Sequence, residues 1–348
     1  MLSGEVTAIL GAKVNPAGFV AYDAAMGKAT ASAAKAEAAQ GKLNASMLAG
    51  GGAASKFGGV ARSAAAGGAL VLAAGLAKSI SAAASFDKQM DRIGAVTNAS
   101  AKDMKAMANV AKDMGQKMGV GATEAAKAME ALAKGGLTTT QILEGGLAGA
   151  LPLAQSGTME VGAAAEATAN ALNLFGLSGD KATHVADALS IAAADTTADV
   201  SDFAIALSQG GSAAKIAGLS FDETVVALES LAKIGVKGSD AGTSLKAALL
   251  QVIDPSDEAA ATMKKLGIDF TDATGKMKPL GDVAEMLRDK IGKLSKEEQV
   301  AALKRLAGTD GFRSLAALME QGGSGVDKLS GSLDKLLNAA KTAEKNTD

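Results

Sequence analysis

The chain is built on methyl groups: 79 of its 348 residues are alanine, while phenylalanine, tyrosine and tryptophan together make up 3%. A hydrophobic share of 48% therefore lacks the large side chains that gain most from burial. Alanine loses no side-chain entropy in a helix, whereas strands select β-branched and aromatic residues. With only four prolines to interrupt it, the sequence predicts an all-α fold, a multi-helix globular domain with thin helix-on-helix packing.

Composition also closes off chemistry. The absence of cysteine removes disulfides, thiolate zinc sites, iron–sulfur centres and cysteine nucleophiles. His184 is the only histidine, so any imidazole base must be that residue. Lys+Arg 35 against Asp+Glu 37 gives a net charge of −2, which argues against nucleic-acid binding as the main role of the whole chain.

That charge is unevenly spread. Residues 1–85 carry seven basic and three acidic side chains, a net of +4, which leaves −6 for the remainder. This N-terminal segment is alanine- and glycine-rich, with Gly50, Gly51 and Gly52 in a row, and reads as partly helical or flexible. Val6, Ala8 and Leu10 alternate as in a short strand, and Asn15-Pro16 would start a helix reaching about Gln40. No secretory signal is visible, because Glu5, Gly11 and Lys13 break the apolar stretch. Ser63 to Ala77 is uncharged but runs for fifteen residues, short of the roughly twenty that span a bilayer. Leu70, Val71, Leu72 and Leu76 would be its membrane-contacting side chains.

From Phe86 the helices become legible one by one, and residues 86–320 read as a helical core domain. Ser100 with Asp103, Thr138 with Gln141, Ser220 with Glu223 and Ser295 with Glu298 have capping-box spacing. Gly135, Gly176, Gly218, Gly235, Gly267 and Gly308 follow apolar runs and predict helix ends. Phe221, Val225, Leu228 and Ala232 share one face, as do Val283, Met286, Leu287, Ile291 and Leu294. Ile268–Phe270 and Lys276–Lys278 allow a small hairpin across Asp272-Ala273-Thr274-Gly275. Residues 321–348 read as a glycine-rich linker and an amphipathic or coiled-coil helix, with Val326, Leu329, Leu333, Leu336, Ala340 and Ala343 at 3, 4, 3, 4, 3 spacing. The expectation is that a longer protein continues past Asp348.

No set of residues with catalytic, cofactor-binding or metal-binding spacing stands out. His184 and Asp187 lie one helical turn apart, but a lone histidine among Val185 and Ala186 suits a structural role better. Gly119-Val120-Gly121 lacks the third glycine of a dinucleotide fingerprint and reads as a helix boundary. Asp195, Asp199 and Asp202 bracket a helix start, where amides favour carboxylates. Gly145 and Gly149 permit close contact between helices, and the methionines at 90, 104, 107, 114, 118 and 129 suit core filling where aromatics are scarce, the alternative being a surface that re-packs on different partners.

Several ordered segments carry a family resemblance. Phe86-Asp87-Lys88-Gln89-Met90, Ile93-Gly94-Ala95-Val96-Thr97, Gly121-Ala122-Thr123-Glu124-Ala125-Ala126-Lys127-Ala128-Met129 and Ala171-Leu172-Asn173-Leu174-Phe175-Gly176-Leu177 resemble the core region of phage tail tape-measure proteins. So do Ile234 to Leu245 and Asp272 to Leu280. Gly308-Thr309-Asp310-Gly311-Phe312-Arg313 departs from the family's shorter glycine–arginine step. The resemblance implies a non-enzymatic structural protein without cofactor, made in the host cytoplasm and held in the lumen of the virion's tail tube. There it would scaffold tube polymerisation, set tail length and leave ahead of DNA at infection. Its implied partners are the tail tube protein, tail assembly chaperones, baseplate or tail-tip proteins and further copies of itself, with no sequence-specific nucleic acid. The rival reading is a membrane-active protein that forms a DNA-passage channel in the host membrane.

Overall fold

The computed structural model describes residues 69–345, with side chains for residues 81–338. The strand expected at Val6–Leu10 and the helix expected to reach Gln40 lie outside the described residues. The chain divides into two compact units, Met1–Ser79 and Ile80–Asp348. Of the first, only a stretch of helical backbone is described; the second holds the packed helices and their side chains.

The elements are helices throughout, with no strand among the described residues. They are α1 (Ala69–Thr97), α2 (Ala101–Lys117), α3 (Ala122–Lys134) and the single turn α4 (Thr139–Gln141), which runs through a π-helical turn at Ile142–Gly146 into α5 (Leu147–Ser156). Next come α6 (Val161–Phe175), a 3-10 turn (Gly179–Lys181), α7 (Ala182–Ala194), α8 (Val200–Ala217), α9 (Phe221–Lys233), α10 (Gly238–Ile253), α11 (Asp257–Leu266), α12 (Leu280–Lys290) and α13 (Lys296–Lys345). In the N-terminal half α3 packs on α2, α5 and α6, and α5 packs on α7; in the C-terminal half α13 runs against α9, α10, α11 and α12.

The ends of these helices follow local chemistry. The Ser100 hydroxyl accepts from the Asp103 amide, and Thr138 with Gln141 and Ser220 with Glu223 form reciprocal capping boxes. Ser295 and Glu298 exchange amide bonds in the same way. Gly176, Gly218 and Gly267 close α6, α8 and α11 in the left-handed conformation. Asp199 caps α8 with Asp202, whereas Asp195 sits at the C-terminal end of α7. The aspartate triplet thus serves two different helix ends.

The hairpin reduces to an isolated antiparallel bridge between Thr271 and Met277. The Asp272 carboxylate accepts from the amides of Thr274 and Lys276, which satisfies the turn locally. The Asp272 amide donates to Lys276 and the Lys278 amide to Phe270 across the turn, while the Met277 amide between them donates to Ala217 at the end of α8, so the returning segment is divided between the hairpin and a helix.

The interior is alanine and leucine with a few larger anchors: Phe203, Phe270, Ile93, Met107 and Met129 are among the largest fully buried side chains. Met90 is also buried, while Met104, Met114 and Met118 are half-buried against the same core. Helix α9 is buried from Thr224 to Ala232. Its two buried hydroxyls, Thr224 and Ser230, donate to the carbonyls of Ser220 and Val226, so neither is left without a partner. Small residues let helices meet backbone to backbone. A Cβ at Gly149 would fall well inside 3.0 Å of the Ala182 backbone, and one at Gly242 would do the same to Ala206 of α8.

Past Gly322, Val326, Leu329, Leu333 and Leu337 are buried, whereas Leu336 is only half-buried. The buried line therefore advances by 3, 4 and 4, the face of a helix lying on its own domain, and shifts by one residue from the 3,4 seam.

Two glycine substitutions should move stability in opposite directions. Gly149→Ala, which inserts a methyl into the Ala182 backbone, should lower unfolding free energy by about 1–3 kcal/mol. Gly331→Ala, in an exposed helical stretch where a Cβ meets nothing within 4 Å, should raise it by roughly 0.5–1 kcal/mol. Urea denaturation of the two variants checks both signs.

Candidate functional site

Polar side chains in this unit gather where helices end. Lys233, in the last turn of α9, donates to the Asp195 carbonyl at 3.2 Å, and Lys237 donates to the Thr197 carbonyl at 3.2 Å. Lys237 also lies 3.5 Å from the Asp202 carboxylate. Two lysines thus cover carbonyls in the α7–α8 connection and tie it to the α9–α10 connection, as cations favour helix C-termini.

Glu229 lies within this knot, one turn before Lys233. It is 3% exposed, its Oε1 is 3.3 Å from Lys233 Nζ, and that oxygen accepts no hydrogen bond. Burial pushes its carboxyl above the ordinary glutamate range; Lys233 pulls the other way, and Asp195 adds to the rise. Glu130 is the opposite case, held low by Lys134 at 2.7 Å, with Gln89 of α1 also donating to it.

His184 reaches α9: its Nε2 is 2.8 Å from Asp222 Oδ1. Its ring is tilted against Phe221, which meets Phe175 edge to face at 5.6 Å between centroids. The carboxylate brought to the imidazole is therefore a first-turn residue of another helix, which one-turn spacing from His184 does not reveal. These contacts join α6, α7 and α9 as a packing and ion-pairing cluster.

A second junction lies within α13, which is not one straight helix. Gly308 (φ 71°, ψ 179°) and Gly322 (φ 65°, ψ 176°) depart from helical geometry, so single residues separate three helical pieces. At Gly322 the exposed backbone groups are met by α12. Arg288 donates from Nε to the Met319 carbonyl at 3.4 Å and from Nη2 to the Glu320 carbonyl at 2.8 Å. The Gly323 amide donates to Glu285 Oε2 at 2.9 Å. Gly308 differs, since a Cβ there would meet nothing within 4 Å.

The family whose sequence profile matches, described as phage-related minor tail protein, covers residues 108–308, from within α2 to the first break in α13. The chain belongs to the phage-related minor tail protein family. It is 37% identical over 265 residues to a tape measure protein of Pneumococcus phage Dp-1, covering 76% of this chain and 23% of that protein. It is 29% identical over 248 residues to a probable tape measure protein of Escherichia phage P2, covering 70% of this chain and 29% of that protein. The chain thus spans about a quarter of the length of the curated relatives it matches. No solved structure matches it.

Leu70, Val71, Leu72 and Leu76 fall in α1, in backbone whose side chains are not described. No helix among the described residues is long and apolar enough to cross a membrane. No cluster of three or more metal-ligating side chains occurs among them either. Gly119 and Gly121 form the turn before α3, and Gly145 approaches the Gly179 carbonyl, so both glycine pairs serve helix boundaries and contacts. The polar groups that sequence spacing missed are Glu229, Glu285 and Arg288. Glu229 did leave a trace, since it falls four residues after Val225 on an otherwise apolar face.

Glu229 makes a pH-dependent prediction. A carboxyl whose folded pKa is raised favours folding below the unfolded value, near 4.3, and loses that contribution as pH rises through the folded value. Glu229→Gln should therefore be more stable than the wild type at pH 7, with the difference shrinking as pH falls through the glutamate range. Urea midpoints at pH 7 and pH 4.5 test it; a variant weaker than wild type at pH 7 would mean that the Lys233 pair outweighs burial.

Proposed function

We propose that the chain is a segment of a tape measure protein that occupies the lumen of the phage tail tube, scaffolds tube polymerisation, sets tail length and leaves ahead of DNA. The observation that carries this reading is the 37% identity to the Dp-1 tape measure protein, sustained over three quarters of the chain. The helix-only architecture supports it, because length along a helix scales with residue number at 1.5 Å per residue. On this reading the partners are the tail tube protein, the tail assembly chaperones, the baseplate or tail-tip proteins and other copies of the chain. The capped helices of residues 86–320 act as a folded unit within the longer ruler, and its role is structural.

Two classes of in-frame deletion in the phage gene test the reading. Removing helical turns outside the folded unit should shorten the tail by about 1.5 Å per residue. Removing α9, which is buried along most of its length, should abolish assembly, since it strands the apolar faces of its neighbours. Electron micrographs of the particles decide. Unchanged tail length in the first class would remove the ruler role, and proportionate shortening in the second would mean that the core is not folded during assembly.

A further inference from the structure

The Gly322 junction combines features that a passive bend does not require. The two helical pieces on either side are separated by one residue, so the bent and straight forms of α13 differ in a single pair of backbone dihedrals. The dihedrals at Gly322 belong to the left-handed side of φ, which only glycine occupies without strain. The space a Cβ would fill there is taken by the Arg288 guanidinium.

A broken helix leaves carbonyls without donors on one side and amides without acceptors on the other. Here both kinds of group are met by one neighbouring helix, through residues three apart: Arg288 covers Met319 and Glu320, and Glu285 covers Gly323. The same helix approaches the restarted segment closely, because a Cβ at Gly281 would strike the Asp327 carboxylate. In a straight helix the backbone would satisfy these groups by its own i→i−4 bonds. Gly322 weakens that alternative by about 1 kcal/mol relative to alanine, without forbidding it, whereas Gly323 and Gly325 are helical in either form.

We propose that Gly322 is a hinge held in its bent state by the Glu285–Arg288 clamp of α12, together with the burial of Val326, Leu329, Leu333 and Leu337 beyond it, and that residues 309–345 form one continuous helix when that hold is released. The device lies in this chain alone and stands independently of the ruler reading. Displacement of α12, by whatever binds in its place, is the releasing event.

The chain has no cysteine, so nitroxide labels can be placed at Asp310→Cys and Asp334→Cys, two exposed positions on either side of the hinge. A straight helix over those 24 residues spans about 36 Å. Pulsed electron resonance on the full chain should give a wild-type distribution lacking that population. The pair Glu285→Ala with Arg288→Ala, which removes the acceptor and the donors of the clamp, should create it, and Gly322→Ala, which neither the dihedrals nor Arg288 accommodate, should move the whole population there. Far-UV circular dichroism should show helicity retained in both. An unchanged distance in the Ala pair overturns the clamp. A broad distribution with loss of helicity overturns the hinge, since the segment would then need α12 in order to be helical. If Gly322→Ala fails to fold, the Ala pair decides alone.

Discussion

The contact on which the rest depends is backbone against backbone. Gly242 of α10 faces the Ala206 backbone of α8, so close that a methyl at that point would have no room, and Gly311 of α13 makes the same approach to Ala248 on α10. Three helices are thereby stacked through residues with little or no side chain. In a chain with 3% aromatics this is how a core is obtained. Small side chains remove little area from water each, so dispersion between closely fitted atoms must carry more of the cohesion. Dispersion falls steeply with separation, and a gap of an ångström forfeits much of it.

Such packing leaves little buried room for polar atoms, which explains where the charges go. Lys233, Lys237 and Arg288 spend their donors on carbonyls at or near helix ends, Glu223 and Glu298 accept from the cap amides of Ser220 and Ser295, and Glu285 accepts from the Gly323 amide where a helix restarts. Gln299, nearly buried, donates to the carbonyls of Gly292 and Leu294 in the connection from α12 to α13. Helix ends are where the backbone has unmet groups, so these side chains terminate the helices and join them in the same step. Among the described residues Glu229 is the charged exception, placed inside the packed layer, and burial raises its carboxyl above the ordinary glutamate range.

Legibility in the sequence follows the same division. The caps at Ser100, Thr138, Ser220 and Ser295 were readable because both partners lie within four residues, and composition alone argued for helices. The His184–Asp222 pair and the Arg288 clamp were not, because their partners are separated by 38 and by 31 or 32 residues and are brought together only by tertiary packing. Gly308 shows a subtler limit: it does end a helical piece, as its position after an apolar run suggested, yet the next piece begins at once, with no intervening loop. A glycine that closes a helix before a turn and one that bends two helices into contact carry the same local signal.

That ambiguity has a physical root. Gly267 sits at φ 63°, ψ 42°, and Gly322 at φ 65°, ψ 176°, so the two differ almost entirely in ψ. After Gly267 the chain leaves into a turn, where local side chains such as Asp272 can satisfy the backbone. After Gly322 it re-enters a helix at once, so the acceptor for the new amide must come from another element, and Glu285 provides it. What distinguishes a terminus from a bend is therefore the availability of a remote side chain at the right place. For this fold, the path of its longest described helix is set by the residues of α12 as much as by its own.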